Sequence, residues 1–221
     1  MRERIFKDRS DAGRALASRL QHYRADPNAI VLALPRGGVP VAYEVARELG
    51  IPLDVFLVRK LGTPGHEELA MGAIAAGGVR VLNEDVVRTW RIPPEAIEAA
   101  TREEEQELER RNNLYRDGAE RTSPGGKTVI LVDDGLATGS TMRAAVEAIR
   151  QQAPARIVVA VPTAAASTCA DFAQEVDEVV CVQTPEPFQA VGLWYEDFAQ
   201  TTDEEIRALL AQVRSGPDPA P

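Results

Sequence analysis

The stretch Val129-Ile-Leu-Val-Asp-Asp-Gly-Leu-Ala-Thr-Gly-Ser-Thr141 decides the fold. An apolar run ends in two acids, a loop of small residues follows, and a helical pattern opens near Ser140. A strand that turns through such a loop into a helix belongs to an open α/β sheet, whose ligands sit at the carboxyl ends of its strands. Gly135 and Gly139 permit tight turning and close backbone approach. Thr138, Ser140 and Thr141 supply hydroxyls, while the helix start offers unpaired N–H groups and the positive end of its dipole. A terminal phosphate fits that cradle.

Asp133 and Asp134 would repel a phosphate unless they face something else. The vicinal hydroxyls of a ribose are suitable donors to them, and Mg²⁺ could sit nearby as a hard, oxygen-seeking cation. The plainer reading is a glycine-rich turn with the acids capping the helix. The Thr-Gly-Ser-Thr continuation after a short apolar strand favours a phosphoribosyl site.

Working outward, runs rich in Val, Ile and Leu recur at 29–34, 53–58, 157–161 and 179–182, and none alternates with polar residues. Strands covered on both faces read this way. Helical patterns at 40–49, 140–152 and 164–174 lie between them, which predicts a parallel, Rossmann-like sheet flanked by helices. A helix over about 10–23 should pack at the sheet edge through Leu16 and Leu20. Between Lys60 and Lys127 the rhythm fails. Gly62, Pro64, Gly65, Gly72, Gly77 and Gly78 make the first part loop-like, with a short strand at 79–82. Pro93-Pro94 then precedes a Glu- and Arg-rich helix to about Arg116, mostly solvated. Residues 61–127 therefore read as an insertion, a lid or hood over a core of about 26–60 and 128–185. Thr202 and Glu205 form a capping box before a last helix. Residues 186–214 read as a C-terminal hood, all within one domain over 1–214, and 215–221 as a disordered tail.

A second loop follows the first strand: Leu34-Pro-Arg-Gly-Gly-Val-Pro40. Its glycines let N–H groups converge on an anion, and Arg36 adds a charged fork. An ordinary turn before a helix is the alternative. Arg59-Lys60, after the second apolar run, could face the same crevice or be a solvated pair. Gly126-Lys127-Thr128 is no P-loop, because Arg121 stands where that motif needs glycine and the segment precedes its strand.

The net charge of −9 gives no electrostatic reason to expect nucleic acid or a membrane as partner. The start is polar rather than apolar, and no run approaches a membrane span, so a cytoplasmic protein is expected. Cys169 and Cys181 lie twelve positions apart without CxxC spacing, and a reduced pair is expected in that compartment.

The Val129–Thr141 signature resembles that of the type I phosphoribosyltransferase family: an apolar strand, two acids and a T-G-x-T loop. The resemblance covers the core strands. It implies that Asp133 and Asp134 hold the ribose hydroxyls of phosphoribosyl pyrophosphate, with Mg²⁺ bound indirectly or through them. It further implies that Ala137, Thr138, Gly139, Ser140 and Thr141 hold the 5′-phosphate. Pro35, Arg36, Gly37 and Gly38 match the family's pyrophosphate loop, which often carries a cis peptide, and Lys60 would meet the leaving pyrophosphate. The Leu34–Ala42 stretch, Arg59-Lys60-Leu61-Gly62 and Val191-Gly192 are similar to a bacterial group of predicted phosphoribosyltransferases of unassigned acceptor. The acceptor, a small molecule and by analogy a nitrogenous base, would meet a variable hood. His66, Glu67 and Glu68 are candidates there, as are the aromatic rings of Phe188, Trp194 and Tyr195, which could stack a base or pack the last helix. A homodimer is the family's common state. A non-catalytic sensor and a ribose-phosphate hydrolase or phosphorylase are the rival functions.

Overall fold

Apolar runs without polar alternation become parallel strands in the structure, a computed structural model that describes residues 4–116, 118 and 121–214, without the side chains of Glu68 and Arg214. In chain order the elements are α1 (Arg9–Arg19), β1 (Ala29–Ala33), α2 (Gly38–Leu49), β2 (Leu53–Val55), β3 (Val58–Thr63), β4 (His66–Ala75), β5 (Val79–Leu82) and α3 (Glu84–Thr89). There follow α4 (Pro94–Arg116), β6 (Thr128–Val132), α5 (Ser140–Arg150), β7 (Arg156–Thr163), α6 (Ala166–Glu175), β8 (Glu178–Gln183) and α7 (Asp203–Arg214). The core sheet runs β2-β1-β6-β7-β8, every pair parallel.

Alternate residues of each strand feed two cores, as a period of two requires. Val31, Ala33, Ile130 and Val132 meet α1, α2 and α7 on one face. Ile30, Leu32, Val129 and Leu131 meet α5 and Phe172 of α6 on the other. The expected Leu16 and Leu20 are both fully buried. Helix α1 lies on α2 rather than only along the sheet edge, because Gly13 lets the backbones approach: a Cβ there would come within 2.6 Å of the Val41 carbonyl. The capping box is reciprocal: the Thr202 amide donates to Glu205 at 2.7 Å and the Glu205 amide to the Thr202 hydroxyl at 3.1 Å.

Three expectations need correction. The second apolar run is not one strand. β2 ends at Val55, and Val58 opens β3 of a separate three-stranded antiparallel sheet, β3-β4-β5. Nor is 61–78 a loop. Pro64-Gly65 turns β3 into β4, with Gly65 at φ 74° and Thr63 opposite His66, so proline and glycine mark a hairpin turn here. Gly72 lies inside β4 where the Val81 carbonyl leaves no room for a Cβ. The third correction concerns the cysteines: Cys169 and Cys181 are joined by a disulfide. The β7–α6–β8 crossover lays α6 beside β8, so twelve residues lead out along a helix and back along a strand, a pairing that spacing alone cannot show.

The second sheet is held between α4 and α5. Leu61, Met71 and Ile74 join the core that contains Ile97 and Leu108 of α4, while Val58, Ala75 and Val79 join that of α5. Asp54 of β2 and Arg116 at the end of α4 form a buried pair at 2.7 Å, each side chain 6% exposed. The expected disordered tail, 215–221, lies outside the described residues. Among the described residues no helix is long and apolar enough to cross a membrane.

Candidate functional site

From β1 the chain proceeds to one side of the sheet, and from β6 to the other. The crevice beyond the carboxyl ends of β1 and β6 is therefore the topological switch point, the usual ligand site of such sheets. Ala33 pairs with Val132, so the loop after β1 and the acids after β6 emerge side by side. The Leu34 amide donates to the Val132 carbonyl at 2.9 Å. Contact between the loops is close. A Cβ on Gly37 would overlap the Asp134 carboxylate, and one on Gly38 would come within 2.7 Å of the Val132 carbonyl. The Pro35–Arg36 peptide is cis, as the resemblance leads one to expect.

Each acid has one oxygen already engaged. Asp133 Oδ1 accepts the Asp134 amide at 2.8 Å, and Asp134 Oδ2 accepts Arg9 Nε at 2.9 Å. Burial, then the charge of Asp134, pushes the Asp133 carboxyl well above the usual carboxylate range. Burial also raises Asp134, and Arg9 opposes that rise. Arg9 itself is fixed from three directions. Beyond Asp134, its Nη1 donates to the Ala199 carbonyl at 2.7 Å and its guanidinium lies 4.0 Å from the centre of the Phe198 ring. The Tyr195 hydroxyl donates to the Asp134 carbonyl at 2.5 Å, and burial raises its own pKa.

The 137–141 loop has its carbonyls secured from behind. The Thr168 hydroxyl donates to the Ala137 carbonyl at 2.7 Å, and Arg143 Nη1 to that of Thr138 at 2.8 Å. The first N–H groups of α5 have no partner inside the helix, and a helix start of this kind is chemically suited to an anion. Gly139 caps α5 at φ 72°, against Phe172. Ala137, Thr138, Ser140 and Thr141 are exposed at the rim.

Arg36 Nε lies 3.2 Å from Asp203 at the start of α7, and the same carboxylate accepts the hydroxyl of Tyr115 from α4 at 2.6 Å. Burial raises the Tyr115 hydroxyl, with Asp203 adding to the rise and Arg36 opposing it. Arg36, in the loop after β1, thus meets both α4 and α7. Lys60 is exposed on β3 instead of ending a core strand; two residues beyond Val58, it shares the hairpin face turned to the core of α5. Arg59 points the other way and pairs with Glu104 of α4 at 2.5 Å.

The acceptor candidates are dispersed. His66 and Glu67 are exposed at the hairpin turn, His66 with its ring 4.3 Å from that of Trp90. The Glu68 side chain lies outside the described set. Phe188 and Trp194 are half-buried. Tyr195 is 6% exposed with its hydroxyl committed to Asp134, so its place is beneath the acids rather than against a base. Among the described residues no cluster of three or more His, Cys, Asp or Glu could cage a metal ion.

The sequence matches the family profile described as "Phosphoribosyl transferase domain" over residues 3–195. The chain belongs to the phosphoribosyltransferase family. Two Mycobacterium tuberculosis proteins, of strains CDC 1551 and H37Rv, each named "Putative phosphoribosyl transferase", are 48% identical to it over 207 residues. That alignment covers 94% of this chain but 46% of theirs, so the chain spans about half the length of these relatives. Among solved structures, TT1426 from Thermus thermophilus is 41% identical with a TM-score of 0.84, over 94% of this chain and 98% of that one. A hypothetical protein from Neisseria gonorrhoeae crystallised with ppGpp shares the fold at 15% identity and a TM-score of 0.50, over 97% of this chain and 99% of that one.

In this member of the phosphoribosyltransferase family the two motif loops converge as their order along the strands predicts. Sequence reading missed Arg9, Tyr115 and Asp203. Arg9 precedes its partner Asp134 by 125 positions in an arginine-rich start, with no spacing to single it out. Its one local mark is the neighbouring Asp8, which caps α1 and so places Arg9 in the first turn.

Proposed function

We propose that the protein transfers a 5-phosphoribosyl group from phosphoribosyl pyrophosphate to a nitrogenous-base acceptor and releases pyrophosphate. The observation that carries this reading is the convergence of two amide-rich loops on a desolvated acid pair at one switch point. Amides of 137–141 receive the 5′-phosphate, and the free oxygens of Asp133 and Asp134 accept the ribose hydroxyls. Amides of 35–38, with Arg36, receive the pyrophosphate, and Lys60 approaches from the α5 side. The bond from C1 to the pyrophosphate oxygen breaks with its electron pair leaving on oxygen. A lone pair on the acceptor nitrogen forms the new C1–N bond, and that nitrogen then gives up its proton to water or to the departing pyrophosphate. Catalysis of this kind needs no protein nucleophile; positioning and anion stabilisation suffice.

Mg²⁺ fits the donor set. With one oxygen of each acid engaged, the remaining two can hold a cation that keeps most of its shell as water and substrate phosphate, which is how Mg²⁺ is usually bound. When bound it would neutralise charge on the departing pyrophosphate. The proposed setting is the cytoplasm, where the donor and free bases meet.

The test is pyrophosphate release from radiolabelled donor across a panel of bases. Release that requires a base supports transfer. Base-independent release would make the protein a hydrolase, and tight binding without turnover a sensor; either result overturns the proposal.

A further inference from the structure

Asp134 presents an electrostatic difficulty. Its carboxylate presses against Gly37, in the middle of the loop that should receive a highly charged pyrophosphate. A bare carboxylate there would oppose binding, and at low exposure the repulsion would be poorly screened. The structure places one cation where it can cancel that charge. Arg9 Nε donates to the oxygen that faces Gly37, the two side chains being 12% and 15% exposed. The guanidinium also lies against the loop itself, since a Cβ on Gly37 would come within 3.2 Å of Arg9 Nε. The Ala199 carbonyl and the Phe198 ring hold it there independently of Asp134.

We propose that Arg9 is a positioning residue that masks Asp134 from the pyrophosphate loop and turns its second oxygen toward the ribose. Resting on the transferase reading, this makes the two acids unequal. Asp134 serves as a masked, oriented acceptor whose orientation depends on α1, a helix that carries neither motif. Asp133 accepts a neighbouring amide, and among the described residues no ion pair reaches it; Arg9 acts on it only through charge. Binding of the pyrophosphate group thus depends on the first turn of α1 and on the 198–199 segment that clamps the guanidinium.

A double-mutant cycle tests the coupling, with Mg-pyrophosphate as the calorimetric probe. Arg9→Met should weaken pyrophosphate binding at least tenfold, and Arg9→Lys, which returns the charge, should restore most of the loss. In an Asp134→Asn background, where no charge remains to be masked, Arg9→Met should have no further effect on pyrophosphate. A purely structural role would lower affinity equally in both backgrounds; that outcome, or failure of Lys to rescue, overturns the assignment. Should Arg9→Met not fold, Arg9→Gln takes its place in the same cycle. Wild-type protein that binds neither pyrophosphate nor its phosphoribosyl ester would remove the transferase reading and this role together. Binding with an additive cycle would remove the role alone.

Discussion

Asp133 combines a desolvated setting with a carboxyl pushed upward, so it should cost the fold stability where it is charged. The folded chain retains a proton that the unfolded chain releases near the ordinary carboxylate value of about 3.9. Stability attributable to this group therefore falls as pH rises from that value through the raised folded one, and above both the whole penalty remains. Asp133→Asn, which can still accept the Asp134 amide, should melt above wild type at neutral pH. The gain should vanish below about pH 4, and the variant should lose ribose 5-phosphate binding, function and stability being opposed at such a position. Thermal melts across pH in the presence of a chelator decide this; a gain that persists in acid would contradict it. At Gly37 the prediction is steric. Gly37→Ala drives a methyl into Asp134, and pyrophosphate titrations should show affinity reduced at least tenfold in a protein that still folds. Both positions were legible in the sequence, because short-range motifs declare their geometry through neighbours. Arg9 was not, since its importance arises only where α1 meets the end of β6.

Elements show the same division. The core strands are readable because burial on both faces removes polar alternation, whereas β3 and β4 are masked by glycines that serve close packing and turns. Helix α4, which packs on their sheet, is joined to the core by Asp54 and Arg116, whose guanidinium also donates to the Val55 carbonyl at 2.9 Å. Asp54→Ala breaks this buried pair, which should cost about 3–5 kcal/mol, measured by urea unfolding; a loss below about 1 kcal/mol would show that the pair contributes no more than an exposed one. At the start of α7, Asp203 holds Arg36 by a partly exposed pair, the two side chains 26% and 32% exposed. Such pairs contribute up to about 1 kcal/mol. Asp203→Asn should therefore free Arg36 and tighten pyrophosphate binding by up to about fivefold, and calorimetry showing weaker binding would mean that Asp203 orients Arg36 instead of competing for it.

For the whole molecule, the disulfide ties the helix behind the 137–141 loop to the far edge of the sheet. Cys169 is on α6 and Cys181 on the edge strand β8, and α6 is the helix that holds the 137–141 loop, through Thr168 on the Ala137 carbonyl and Phe172 behind Gly139. The polar start and the lack of CxxC spacing argued for reduced thiols, an inference about surroundings that could not see the crossover bringing helix and strand together. Closing so short a loop restricts the unfolded chain by about 3 kcal/mol. Reduction should then lower the melting temperature by roughly 6–12 °C for a chain of this size. Inorganic phosphate, read by calorimetry, should bind more weakly to the reduced protein because α6 can shift under the cradle. Pyrophosphate, which the proposed reading assigns to the loop after β1, should bind unchanged. Thiol counting by mass spectrometry establishes the two states, and Cys169→Ser/Cys181→Ser should reproduce the reduced one. Equal melting temperatures with and without reductant would leave the crosslink without a part in stability; loss of both affinities together would show that the two loops respond as one body.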